Sequence, residues 1–133
     1  MKLEFLDDIS DGGRFTGVVT DQLVRLFDFD RNQAAMFRQA IHQTIIEKGQ
    51  SLDLSKLGFV ETINCQLTLQ LSDNSRGITS PDQYNFICSL TIHDYANMIY
   101  LLEPFCMTDS SGYQWLYDID TPIEFLFSPD GTW

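Results

Sequence analysis

Two stretches of strict alternation, residues 61–71 and 84–93, constrain the fold of this chain more than any other feature. Because successive side chains of a strand point to opposite faces, each stretch predicts a strand with one apolar and one polar face. The apolar rows are Ile63, Cys65, Leu67, Leu69 and Leu71, then Tyr84, Phe86, Cys88, Leu90 and Ile92. We predict that the two strands form a hairpin across the loop 72–83, with these rows facing the core and mostly uncharged hydroxyls and amides on the other face.

Two helices are predicted on either side of this hairpin. Asp30 is a candidate N-cap with Gln33 in the capping-box position, and the helix should run to about Lys48, where Gly49 stops it. Its apolar stripe consists of Ala34, Phe37, Ile41 and Ile45. A second, short helix is predicted over residues 95–103, capped by Asp94 and ended by Pro104.

The order of elements predicts the fold class. Further strands are expected at 2–6, 22–29, 113–117 and 123–127, with 22–29 in the centre of a sheet. From residue 22 the order is strand, helix, strand, strand, helix, strand, which is the ferredoxin-like βαββαβ arrangement with an extra N-terminal strand. We therefore predict one α+β domain over residues 1–133, in which a single sheet of mostly antiparallel strands carries two helices on one face. The alternative is an α+β meander whose first and last strands pair at the edges.

The charge of the chain is strongly negative and unevenly spread. The net charge is −11, and from residue 57 onward ten acidic residues face a single basic residue, Arg76. A field of this sign repels phosphate backbones and anionic lipid, so the sequence disfavours nucleic acid and membrane surfaces as partners. It is compatible with a basic protein partner or with solubility alone.

The expected location is the cytoplasm. No apolar run approaches the length of a membrane span, and the start MKLEFLDD lacks the basic and apolar regions of a secretory signal. The three cysteines include no CxxC pair, which fits a reducing compartment better than a disulfide framework.

The C-terminal stretch 109–133 is the predicted partner surface. It mixes aromatic residues with acids and contains neither Lys nor Arg, and aromatic residues are enriched at interface hot spots. The residues assigned to this surface are Tyr113, Trp115, Tyr117, Asp118, Asp120 and Trp133, together with Arg76 in the long loop. The first hypothesis is therefore a non-enzymatic, inhibitor-like or adaptor-like module that binds a basic protein.

Two alternatives remain open. The polar face of the hairpin could bind a small molecule, or carry a reaction, around Asn64, Gln66, Ser89 and His93. The weak catalytic candidates are His93, Asp94 and Asn97, although neighbours on a strand point to opposite faces. The other alternative is a structural homo-oligomer, such as a homodimer formed through the sheet.

No cofactor or metal is expected from the sequence. The stretch Asp118-Ile119-Asp120 lacks the Gly of a calcium loop and a downstream Glu at the required spacing, and two histidines without paired cysteines do not make a zinc site. Gly12-Gly13-Arg14 lacks the residues that complete a phosphate loop, so it is interpreted as a turn. Cys106 is the one cysteine outside the predicted inward rows.

Overall fold

The chain has a mixed α+β fold, seen in a computed structural model that describes residues 1–7, 22–109 and 111–133. The elements are β1 (Lys2–Asp7), β2 (Gln22–Phe27), α1 (Arg31–Ile41), β3 (Leu52–Asp53), β4 (Glu61–Thr62), β5 (Gln66–Leu71), β6 (Gly77–Thr79), β7 (Asn85–Leu90), α2 (Ile92–Met107), β8 (Gln114–Trp115) and β9 (Ile123–Phe127). A π-helical segment (His42–Glu47) extends α1, and a 3₁₀ turn (Leu54–Lys56) follows β3. The Gly12-Gly13-Arg14 turn lies outside the described residues.

The described strands form two sheets. One sheet has five strands in the order β4-β1-β2-β9-β8, and the other has four strands in the order β3-β5-β7-β6. The predicted single, ferredoxin-like sheet is therefore not confirmed. The physical reason is that the alternating stretch 61–71 does not stay in one sheet: β4 pairs with β1, and β5 pairs with β3 and β7.

The predicted hairpin of residues 61–93 is wrong in direction, and its two faces are confirmed only in the middle of each stretch, since Ile63, Tyr84 and Ile92 of the predicted inward rows are exposed. Strands β5 and β7 are parallel, with Gln66 opposite Asn85 and Leu71 opposite Leu90. The loop between them contains β6, which crosses to the far side of β7 and pairs with it antiparallel. The inward rows are buried as expected at Cys65, Leu67, Leu69, Phe86, Cys88 and Leu90. Alternation determines which side chains face the core, but it carries no information on strand direction.

Asn64 forms the corner at which the chain leaves one sheet for the other. The N–H of Ile63 still donates to the Leu3 carbonyl at 2.9 Å, as in a ladder with β1. At the next position side-chain hydrogen bonds replace the backbone pairing with β1. Asn64 Oδ1 accepts from the Phe5 N–H, and Asn64 Nδ2 donates to the Phe5 carbonyl, both at 2.8 Å. The amide thereby satisfies two backbone groups of β1 while the backbone of residue 64 turns away.

Both helices pack against the two sheets. The N-cap prediction for α1 is confirmed, since Asp30 Oδ1 accepts from the Gln33 N–H at 2.9 Å and the capping box is complete. Gly49 follows the helical run with a φ of +65°, as expected of a glycine that ends a helix. The predicted stripe is fully buried at Ala34, Phe37, Ile41 and Ile45.

Helix α2 is longer than predicted at both ends. Its N-cap is Thr91, whose hydroxyl accepts from the Asp94 N–H at 3.2 Å, so Asp94 lies in the first turn instead of capping it. Pro104 lies inside the helix. The helix continues past this proline because Phe105 extends the buried stripe into the core, which offsets the loss of one backbone donor.

One main hydrophobic cluster contains side chains from both sheets and both helices. Phe5 of β1 lies against Phe86 of β7 with ring centroids 4.7 Å apart, and Phe37 of α1 stacks on Phe127 of β9 at 5.8 Å. Strand β2 is central as predicted, and neither Leu23 nor Val24, which point to opposite faces, is exposed at all. The outer face of the five-stranded sheet must therefore be apolar as well around Leu23.

We predict that Asn64→Leu lowers the free energy of unfolding by about 1–2 kcal/mol, because two hydrogen bonds to the Phe5 backbone are lost. Asn64→Asp keeps the acceptor for the Phe5 N–H but sets a carboxylate oxygen against the Phe5 carbonyl, so it should also lower the free energy of unfolding at pH 7. Chemical denaturation measures both. Gln66→Leu is the matched control, and an equal loss of stability in this control would contradict the role of Asn64.

We also predict a strongly acidic carboxyl at Asp82. It accepts hydrogen bonds from the backbone N–H groups of Asn85 and Tyr84 and from the Asn85 amide, which lower the pKa of Asp82 to about 2. The ionised carboxylate then stabilises this loop above about pH 4, and the contribution is lost as the pH falls toward the lowered pKa. Carbon-13 NMR titration should show this pKa and a higher pKa in Asn85→Ala. A value near 4 in the unmodified protein would contradict the prediction.

Candidate functional site

The outer face of the five-stranded sheet carries a second, smaller hydrophobic cluster, here called the aromatic face. It is formed by Leu6, Leu23, Trp115, Leu126 and Trp133. Leu23 and Leu126 are fully buried, whereas the two tryptophans and Leu6 are only partly covered. Trp115 lies opposite Leu126 in the ladder between β8 and β9. The structure thus brings together two residues that the sequence analysis assigned to a partner surface.

The C-terminal turn that carries Trp133 is held in place by Arg25 and Ser128. The Ser128 hydroxyl donates to the Thr132 carbonyl at 2.7 Å and accepts from the Thr132 N–H at 3.1 Å. Gly131 has a φ of +74°, which strains other residues, and a Cβ at this position would lie 2.8 Å from Arg25 Nη1 and would force that side chain to shift. Arg25 Nη1 donates to the Gly131 carbonyl at 2.6 Å. The turn is therefore packed directly onto the sheet.

Arg25 itself does not give this face a free positive charge. Its Nη2 lies 2.6 Å from Glu4 Oε1 on β1, and its guanidinium lies over the Phe27 ring at 4.1 Å from the centroid. The ion pair is largely covered, so each charge is compensated locally. The electrostatic character of the face is consequently determined by the carboxylates around it.

Three carboxylates border the aromatic face. Glu124 lies opposite Leu23 in the ladder between β2 and β9, and Asp118 and Asp120 are exposed on the loop before β9. Partial burial raises the pKa of Glu124, and the charges of Asp118 and Asp120 raise it further. The three residues therefore form one acidic border, in which the charge of Glu124 is destabilised by its two neighbours.

Tyr117 and Tyr113 lie in different environments. Tyr117 is only 5% exposed. Its hydroxyl donates to the Ile123 carbonyl and accepts from the Ile78 N–H at 3.1 Å. Burial raises the pKa of this phenol. Tyr117 is thus part of the core and is not available to a partner as the protein stands. Tyr113 is 49% exposed and packs its ring edge-on against Trp115 at 6.2 Å.

Arg76 is exposed and lies near the loop that carries Asp118 and Asp120. The adjacent Gly77 has a φ of +73°, and a Cβ there would lie 3.0 Å from both Thr121 and Tyr117 side-chain atoms. This close approach places the segment around residue 76 beside the loop that carries Asp118 and Asp120. Arg76 forms no ion pair with a carboxylate in the described part of the chain.

The catalytic candidates lie on α2 and not on a strand. Strand β7 ends at Leu90, and His93 and Asn97 are exposed one helical turn apart. Asp94 accepts a hydrogen bond from the Ser75 hydroxyl, which also accepts from the Thr91 N–H at 3.1 Å. Asp94 is therefore engaged in joining the loop after β5 to the start of α2, and the ion pairs of the described residues include none between Asp94 and His93.

The candidate ligand residues of the polar sheet face are not brought together. Because β5 and β7 are parallel, Gln66 lies opposite Asn85. Ser89 lies four residues further along β7, so Gln66 and Ser89 are separated by about 13 Å along the strand direction. Ser89 instead accepts from Gln70 Nε2 at 3.0 Å. Asn64 lies at the sheet corner, bound to the β1 backbone.

Neither an activated thiol nor a grouping of metal ligands is found among the described residues. All three cysteines are free, and burial raises the pKa of Cys65 to about 11 and that of Cys88 to about 12. Burial also raises the pKa of Cys106. No group of three or more His, Cys, Asp or Glu side chains in residues 1–7, 22–109 and 111–133 could hold a metal ion. Neither helix described is long and apolar enough to cross a bilayer.

An acidic cavity of about 280 Å³ lies outside the residues that the sequence pointed to. It is lined by Asp28, Phe29, Asp30, Arg31, Phe105, Asp109, Pro129 and Asp130. Asp109 accepts from the Arg31 N–H at 2.9 Å, and Asp28 pairs with Lys2 at 3.2 Å. The lining comes from three distant segments of the chain, so no local pattern could have predicted it.

Comparison of the chain with models of known protein families, with curated proteins and with solved structures finds no match in any of the three.

We predict that the double variant Asp118→Asn/Asp120→Asn lowers the pKa of Glu124, because two negative neighbours are removed. A carboxyl with a raised pKa binds its proton more tightly in the folded state, so the free energy of unfolding falls as the pH rises above about 4. Glu124→Gln should therefore be more stable than the unmodified protein at pH 7 and lose that advantage below about pH 4. NMR titration and denaturation at both pH values test this, and a Glu124 pKa unchanged by the double variant would contradict it.

Proposed function

We propose that this protein is a non-enzymatic interaction module that binds a basic protein partner through the aromatic face and its acidic border. The observation that carries the proposal is the clustering of Trp115 and Trp133 over Leu23 and Leu126, with Glu124 beside them on the same sheet face. Aromatic side chains supply large contact areas at interfaces, and Trp is enriched among hot-spot residues.

The distribution of charge supports a basic partner. Asp118, Asp120 and Glu124 border the aromatic face, and Arg25 on the same sheet face is compensated by Glu4. The acidic cavity at Asp109 and Asp130 adds further negative charge on the C-terminal half of the chain. Such a field accelerates the approach of a cationic protein and is screened by salt, so binding should weaken as the ionic strength rises.

Two features of the original hypothesis are refined in this proposal. Tyr117 acts as a buried support for the loop and is left out of the contact surface, whereas Tyr113 extends it beside Trp115. A cytoplasmic location is part of the proposal, and it is supported by the three free cysteines.

We predict that Trp115→Ala and Asp118→Asn/Asp120→Asn each weaken partner binding, the first by about tenfold or more because a hot-spot ring is removed. The test is an affinity capture of basic proteins from the host lysate at low and at high salt, followed by titration of the captured protein against each variant. The charge variant should also reduce the salt dependence of binding.

The matched controls lie on other surfaces. Tyr84→Ala removes an aromatic ring that is 50% exposed elsewhere, and Glu47→Gln/Glu61→Gln removes two exposed acidic charges. Both controls should bind as the unmodified protein does. Full binding by Trp115→Ala and by the Asp118/Asp120 variant would contradict the assignment of this surface.

A further inference from the structure

The outer face of the five-stranded sheet already holds one arginine between a carboxylate and an aromatic ring. Arg25 Nε and Nη2 donate to Glu4 Oε1 at 3.0 and 2.6 Å, and the guanidinium lies over the Phe27 ring at 4.1 Å from its centroid. The pairing of β1 with β2 places Glu4 opposite Arg25, and Phe27 lies two residues further along β2 on the same face. A planar guanidinium can stack on a ring while its edge binds a carboxylate, which suits arginine better than lysine.

A carboxylate and a ring recur on the β8 side of this face without a cation between them. Glu124 and Leu126 of β9 point to the outer face, where Leu126 lies opposite Trp115. Glu124 is therefore a diagonal neighbour of Trp115, at a Cβ separation of about 7 Å that a glutamate and an indole can span. In the described part of the chain Glu124 belongs to no ion pair.

Arg25 does not serve Glu124 as well as Glu4, because its three guanidinium nitrogens are already engaged. Nε and Nη2 bind Glu4, and Nη1 donates to the Gly131 carbonyl at 2.6 Å. Partial burial raises the pKa of Glu124, and the charges of the two aspartates in the acidic border raise it further. A cation bound beside Glu124 would offset both effects.

The rings beside Glu124 leave room for a stacking partner. Tyr113, which is 49% exposed, and Trp115 meet nearly at right angles, with 74° between the ring planes and 6.2 Å between the centroids. Rings in this arrangement do not cover each other face to face. Trp115 is only partly buried against the aromatic face. A planar cation can therefore stack on the indole while it directs an N–H edge at Glu124.

Resting on the function proposed above, we propose that the side chain of the basic partner that this face recognises is an arginine. Its guanidinium stacks on Trp115 while its N–H groups donate to the Glu124 carboxylate. This repeats the arrangement that Arg25 has with Phe27 and Glu4 on the same sheet face. Lysine satisfies the charge alone, since its ammonium is compact, strongly hydrated and has no plane that can stack.

Peptides that differ only in the cation test this assignment. Glycine-spaced arginine, lysine and citrulline peptides of equal length are titrated into the full chain, and the indole N–H signals of Trp115 and Trp133 are followed by NMR. We expect the arginine peptide to bind about fivefold more tightly than the lysine peptide. The citrulline peptide keeps the planar shape without the charge and should bind too weakly to measure.

Two variants separate the carboxylate from the ring. Glu124→Gln and Trp115→Leu should each bring the affinities of the arginine and lysine peptides to within about twofold of one another, as read from the Trp133 signal. Trp115→Leu keeps an apolar side chain against Leu126, so the packing of β8 is retained. Glu61→Gln is the matched control, because it removes an exposed acid from β4 at the opposite edge of the same sheet, and it should keep the full preference for arginine.

The results expected for the arginine contact differ from those expected for the proposed function alone. Indole signals that shift equally with the arginine and lysine peptides would overturn the arginine assignment and leave the binding of a basic partner in place. A preference for arginine that survives in both Glu124→Gln and Trp115→Leu would overturn the placement of the guanidinium. Indole signals left unchanged by both charged peptides would overturn the arginine assignment and the proposed function together.

Discussion

The two hydrogen bonds between the Asn64 side chain and the Phe5 backbone are the interaction on which the two-sheet arrangement depends. Both lie at 2.8 Å, and they let the chain turn out of one sheet without leaving the β1 backbone groups unsatisfied. Directly after this corner Cys65 enters the core and β5 begins in the other sheet. Because both sheets then face one core, Phe5 and Phe86 meet across it at 4.7 Å.

The same arrangement determines which surfaces are open to other molecules. The inner face of the five-stranded sheet is covered by the core, so Trp115 and Trp133 gather on its outer face over Leu23 and Leu126. On the polar face of the other sheet, the parallel pairing of β5 and β7 keeps Gln66 and Ser89 apart. An aromatic and acidic surface is therefore assembled, whereas the polar constellation expected around His93 is not.

Local patterns in the sequence predicted local structure well. The Asp30 cap, the buried stripe of α1 and the inward rows of β5 and β7 depend on neighbours within a few residues, and all are confirmed. Strand direction depends on the path of the loop 72–83, and the switch between sheets depends on Asn64 meeting Phe5, 59 residues away in the sequence. For the site, composition pointed to Trp115, Trp133 and the nearby acids. The burial of Tyr117 and the formation of the acidic cavity depend on long-range packing, which the alternation of residues does not encode.

The central claim, that a cationic partner contacts the aromatic face, can be tested most directly at the two tryptophans of the chain. Their indole N–H groups give separate NMR signals, which can be followed while a synthetic lysine-rich peptide is added. The account predicts that the indole signals of Trp115 and Trp133 shift with this peptide, shift less at high salt, and do not shift with a glutamate-rich peptide of equal length. Binding of the lysine-rich peptide that leaves both indole signals unchanged, with shifts confined to other surfaces, would contradict the account.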